Sequence, residues 1–137
     1  MPNIEFNPSL VGIKVVTTYL PSHSRPDESE YTFAYTITIS NAGDVQVQLL
    51  SRHWIITDAD NEVQEVRGEG VVGEQPVIGP GESFRYTSGA TLTTPVGCME
   101  GSYFMVIREP MEVNPRDLPT FEVPIPAFSL HTPTALH

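Results

Sequence analysis

Nine consecutive residues, Tyr31-Thr-Phe33-Ala-Tyr35-Thr-Ile37-Thr-Ile39, alternate large apolar side chains with threonine and alanine. A repeat of two puts one set of side chains in a core and the other toward water, as in a half-buried antiparallel strand. Val11, Ile13 and Val15 predict a shorter strand before it. After the turn-forming cluster Asn41-Ala-Gly43-Asp44, the segment Val45 to Thr57 is expected to place Leu50, Arg52, Trp54 and Ile56 on one face. Leu49, Ser51, His53 and Ile55 then fall on the other, and the area of the tryptophan favours burial of the Trp54 side.

Asp58-Ala-Asp60-Asn61 reads as a turn and Glu62 to Arg67 as the returning strand. Gly79-Pro80-Gly81 is a tight bend before the alternation of Phe84 and Tyr86. Met99 to Arg108 puts Tyr103, Met105 and Ile107 opposite Phe104 and Val106. A last strand is expected around Phe121 to Ile125, with a frayed tail after Phe128. The 13 prolines avoid residues 27 to 75, so the central strands keep every ladder donor; elsewhere prolines bound the strands and guard sheet edges. Turn signals every 8 to 15 residues and no helical pattern of ten or more predict an all-β sandwich of seven or eight antiparallel strands. Trp54 in the third strand favours an immunoglobulin-like or fibronectin type III-like version. Gly101-Ser-Tyr103-Phe-Met105 resembles a tyrosine corner, the alternative being an ordinary core tyrosine.

At 137 residues the chain is expected to be a single domain, with its core over about residues 10–128 and flexible termini. Its net charge of −10, with a single lysine, argues against a nucleic-acid partner, which would need lysine and arginine to neutralise phosphates. Seven of the 17 acids lie between Asp58 and Glu82. They form a solvated rim, or a docking surface for a cation or a basic partner. One cysteine, Cys98, excludes an internal disulfide. The N-terminus lacks the regions of a signal peptide and no apolar run is long enough to span a membrane, so a soluble cytoplasmic protein is expected.

Gly68-Glu69-Gly70-Val71-Val72-Gly73 is formally G-x-G-x-x-G. In a dinucleotide fold that motif needs a helix to follow it, and Gln75-Pro76-Val77-Ile78-Gly79-Pro80 cannot start one. The expectation is a loop with positive φ angles. Asp58-Ala-Asp60-Asn-Glu62 opens like a calcium loop, but Val63 stands where glycine is required, and a hairpin turn explains it. The four histidines are too dispersed for metal-ligand spacing. Cys98 has no nearby base to activate it, and Ser51 with His53 is a chance pairing on a strand.

Four segments carry a resemblance over roughly residues 10 to 128: Ser51-Arg52-His53-Trp54-Ile55-Ile56-Thr57-Asp58, Gly68 to Pro76, Pro80-Gly81-Glu82-Ser83-Phe84-Arg85-Tyr86-Thr87-Ser88-Gly89, and Met99-Glu-Gly101-Ser102-Tyr103. Together they resemble the ApaG family, also called CorD. The resemblance implies a fibronectin type III-like sandwich and a family-level association with cobalt tolerance and magnesium efflux. It also implies protein-interaction modules, as in related domains of eukaryotic F-box proteins. The family's glycine motif maps onto Gly68, Gly70 and Gly73 and carries a pyrophosphate-binding suggestion.

The expected function is a non-enzymatic protein-interaction module with an unidentified protein partner, as a monomer or weak homodimer. Arg67, Gly68, Gly70, Gly73 and His53 are the candidate ligand- or partner-binding residues; no catalytic residue, metal ligand or cofactor is expected. The alternative is a small ligand, a pyrophosphate, nucleotide or divalent cation, at the Gly68–Gly73 loop.

Overall fold

The computed structural model describes residues 6–108 and 113–134. Eight strands follow in order: β1 (Val11–Tyr19), β2 (Tyr31–Asn41), β3 (Val47–Asp58), β4 (Val63–Glu69), β5 (Val77–Ile78), β6 (Ser83–Leu92), β7 (Val96–Ile107) and β8 (Phe121–His131). Two antiparallel sheets form a sandwich, one in the order β1-β2-β6 and the other β4-β3-β7-β8, with β5 paired to the start of β3. This is the expected all-β sandwich, and its arrangement is fibronectin type III-like.

The alternating residues of β2 do what their period requires. Phe33, Tyr35, Ile37 and Ile39 are buried in the interior. On the outer face, Thr32 and Thr36 pair hydroxyls with Thr91 and Thr87 of β6 at 2.9 and 2.8 Å. Trp54 lies at the centre, edge-on to Tyr35, Tyr103 and Phe128, with ring centroids 5.5, 6.3 and 5.9 Å away. Edge-to-face contacts of this kind add roughly 0.5–1.5 kcal/mol each beyond area burial. The hydroxyls of Tyr86 on β6 and Tyr103 on β7 bond to each other across the two sheets. Tyr103 is therefore a core tyrosine with a side-chain partner in the facing sheet, and not a corner tyrosine bonded to a main chain upstream.

Two β-bulges overturn simpler expectations. In β3, Leu49 faces Met105 of β7 and Ser51 faces Phe104, so Leu50 is an extra residue in the ladder. One extra residue reverses the alternation. Val47 and Leu49 point inward before it, and Trp54 points inward after it. Leu49 and Trp54 thus share the buried side, although strict alternation from Val45 to Thr57 put them on opposite faces. In β8, Phe128 faces Met99 and Ile125 faces Gly101, which leaves Pro126 and Ala127 sharing the span of Glu100. The strand resumes with the phase reset, and it does not fray after Phe128: it continues to His131, with Leu130 fully buried. Pro124 and Pro126 are exposed on this outermost strand, where a missing ladder donor costs little.

β1 packs beside β8 and closes one side of the sandwich. On the other side β4 and β6 flank a cleft, whose lining includes Gln64 and Val66 from one strand and Ser88 and Thr91 from the other. No helix among the described residues is long and apolar enough to cross a membrane.

Candidate functional site

β4 ends at Glu69 and the chain then reverses at once. Gly70 (φ +64°) donates its N–H to the Leu50 carbonyl at 2.8 Å, and Val71 turns into the core. Val71 and Glu74 exchange both main-chain hydrogen bonds, at 2.8 and 2.9 Å, and so close a two-residue hairpin turn. The central residues are Val72 (φ +44°) and Gly73 (φ +81°). A turn with both central φ angles positive suits Asn-Gly or Gly-Gly, because a Cβ crowds the following carbonyl in that region. Gly73 fits. Val72 is β-branched, sits there at a cost of roughly 1–2 kcal/mol, and is 53% exposed at the tip.

The glycines have separate tasks. A Cβ on Gly70 would lie 2.2 Å from the Glu74 carbonyl oxygen, so only glycine permits the reversal. A Cβ on Gly68 would lie 2.8 Å from the Arg52 guanidinium, which rests against that bare backbone. Arg52 Nη1 donates to the carbonyls of Glu69 and Gly70 at 3.1 and 2.7 Å and ties the hairpin to β3. Gln75 Nε2 donates to the Leu50 carbonyl at 2.9 Å and anchors the other leg. Arg52 was not among the expected site residues. The available signal was an arginine on the apolar face of a strand, which has to find carbonyl or carboxylate partners nearby.

No helix follows the glycine motif. The Gly70, Val71 and Glu74 N–H groups, which a phosphate would need, are already spent on protein carbonyls. The positive φ expected of the loop is found at Gly70 and Gly73.

His53 and Arg67 lie elsewhere, on the outer face of the larger sheet, directly opposite each other in the β3–β4 ladder. Glu65 Oε2 stands between them, 3.4 Å from His53 Nε2 and 3.7 Å from Arg67 Nη2. The Glu65 and Arg67 side chains are 52% and 70% exposed, so their ion pair contributes little stability. Ser51, His53, Arg67, Gly68 and Phe104 line a shallow depression of about 330 Å³ on this face. The five candidate residues therefore form two neighbouring groups: His53, Arg67 and Gly68 around the depression, and Gly70 and Gly73 in the hairpin beyond the end of β4.

The other motifs resolve as local structure. Asp58 Oδ1 accepts the N–H groups of Asp60 and Glu62 at 2.8 and 3.0 Å, and Asn61 takes a positive φ: a hairpin turn between β3 and β4. Among the described residues no three His, Cys, Asp or Glu side chains are grouped to hold a metal ion. Burial pushes the Cys98 thiol above its ordinary range, with the Glu100 carboxylate adding to the effect, the opposite of what activates a nucleophile.

The strand order and the glycine-built hairpin at the edge of the larger sheet define the class: a fibronectin type III-like sandwich that displays a tight turn. Within that class the chain belongs to the ApaG domain family, whose model matches residues 21–107. It is 55% identical over 125 residues to Protein ApaG of Ralstonia nicotianae, covering 91% of this chain and 94% of that protein. It is 52% identical over 127 residues to Protein ApaG of Dechloromonas aromatica, covering 93% and 94%. The crystal structure of an ApaA protein from Bordetella pertussis is similar with a TM-score of 0.82 and 46% identity, over 91% of this chain and 95% of that one.

Proposed function

We propose that this domain is a non-enzymatic protein-interaction module that docks through the Val71–Glu74 hairpin and the adjoining face of Arg67 and His53. One observation carries the reading: Val72 holds a left-handed backbone conformation at an exposed tip, where asparagine or glycine would relieve the strain. Strain kept at a position whose side chain contributes little to the core points to a role outside the domain. The partner that fits has an apolar socket for the valine and basic residues at its rim, because Glu69 and Glu74 flank the tip and are exposed. In this reading the cobalt and magnesium associations of the family are reached through that cytoplasmic partner. The geometry favours a protein over a pyrophosphate or nucleotide at residues 68–73, since the Gly70, Val71 and Glu74 N–H groups are already bonded within the chain. It favours a protein over a cation, since no three His, Cys, Asp or Glu side chains among the described residues are grouped to hold one.

Affinity capture from the native cell with mass spectrometry tests this, using wild type, Gly70→Arg and Val72→Asn. Wild type should recover a protein that both variants lose, while Val72→Asn unfolds at or above the wild-type temperature. Equal recovery by wild type and a folded Val72→Asn removes the hairpin from the interface.

A further inference from the structure

Apart from the two-residue β5, four strands end the two sheets, and three of them are guarded. β8 carries exposed Pro124 and Pro126, β1 lies beside β8, and β4 bears Glu65, Arg67 and Glu69 before it turns into the hairpin. β6 is different. It runs ten residues, Ser83–Leu92, with no proline, no lysine and a single charge at Arg85, and among the described residues it pairs only with β2. Every second N–H and C=O along it faces away from the sheet, toward whatever strand could be added. Natural proteins usually block an edge of this length and regularity; β6 carries no proline, lysine or bulge to do so, and β4 and the hairpin stand across a cleft from it without pairing to it.

The residue sizes along β6 say what fits there. Run antiparallel to itself about a twofold axis through Thr87, it sets Arg85 opposite Gly89, Phe84 opposite Ala90 and Tyr86 opposite Ser88. Each large side chain thus meets a small one, on both faces of the sheet. Thr87 meets its own copy and extends the hydroxyl pairing of Thr36 with Thr87 (2.8 Å) across the new seam. The pairing is self-complementary, as a twofold interface must be. An unrelated strand would have no reason to repeat that order of sizes.

We propose that a second copy of this chain docks edge to edge through β6, joining the two three-stranded sheets into one of six strands. A seam made by one strand pair lies at the small end of specific interfaces, below about 1,200 Å² in total, so the dimer forms reversibly and dissociates on dilution. It leaves the outer face of the larger sheet open to a different partner, while Val72 and Gly73 of the hairpin tip share a pocket with Tyr86 and Ser88 at the middle of the seam.

Sedimentation equilibrium of the full chain from about 10 µM to 1 mM tests the proposal. The weight-average mass should rise from 15.1 kDa toward twice that value. Gly89→Lys should hold it at the monomer mass, because the added side chain would occupy the space facing Arg85 and add a like charge. The exposed position tolerates a side chain, since the nearest atom to a Cβ there is the Phe33 carbonyl oxygen at 3.4 Å. Concentration-dependent amide shifts in wild type, confined to residues 83–92, supply a second readout that does not depend on the variant. A wild-type mass that stays monomeric throughout, a dimer that Gly89→Lys leaves intact, or shifts confined to another surface would overturn the proposal.

Discussion

The hydroxyl pair of Tyr86 and Tyr103 can be tested quantitatively. The two side chains are 6% and 0% exposed and reach each other from opposite sheets. Replacing either with phenylalanine breaks the bond and leaves the other hydroxyl buried without its partner, a penalty of roughly 1–3 kcal/mol. Each single variant should therefore lose about 2 kcal/mol. The double variant removes both polar groups together and should lose less than about 1 kcal/mol, although the single losses would sum to about 4. Urea unfolding of the four proteins measures the cycle, and at an m-value of about 2 kcal/mol/M each single substitution moves the midpoint by about 1 M. If the two losses simply add, the hydroxyls do not stabilise each other, and the cross-sheet bond contributes nothing beyond packing.

The same pair sets an alkaline limit. Burial pushes both phenols far above their ordinary value near 10, and for Tyr103 the neighbouring Tyr86 pushes in the same direction. The unfolded chain then releases these protons first, so stability is intact below about pH 10 and falls as pH rises beyond it, by roughly 1.4 kcal/mol per pH unit for each tyrosine. Unfolding free energies at pH 9 to 11 should show this slope, and the double phenylalanine variant should flatten it. Gly101→Ala should be far more damaging than Gly73→Ala. A Cβ at Gly101 would meet the His53 carbonyl oxygen at 2.0 Å and the Trp54 Cα at 3.2 Å, whereas no atom of the described residues lies within 4 Å at Gly73. The first should lose about 3 kcal/mol or more and the second about 1–2, read as the difference in thermal midpoints.

The layers of the sandwich were legible because Phe33, Tyr35, Ile37 and Ile39 announce a buried face through nothing more than their spacing. The turns at residues 58–61 and 79–81 were legible from glycine, proline and asparagine, each of which favours bends for its own steric reason. The two bulges were not. An alternating segment on either side of Leu50, or of Pro126 and Ala127, has the same period whether or not a residue is inserted, so only the partner strand reveals the change of phase. The glycine motif disclosed an unhelical loop but not its occupant. The space above Gly68 is filled by Arg52, sixteen residues earlier in the chain and adjacent only once β3 and β4 pair.

Leu50 is where these threads meet. Its carbonyl receives the N–H of Gly70 and the side-chain amide of Gln75, so both legs of the hairpin hang from the same irregular point in β3. Shortening the chain there by one residue would turn the central tryptophan toward solvent and at the same time cast the hairpin adrift. Relatives that keep the display therefore have to keep the irregularity, and length changes should collect in other turns.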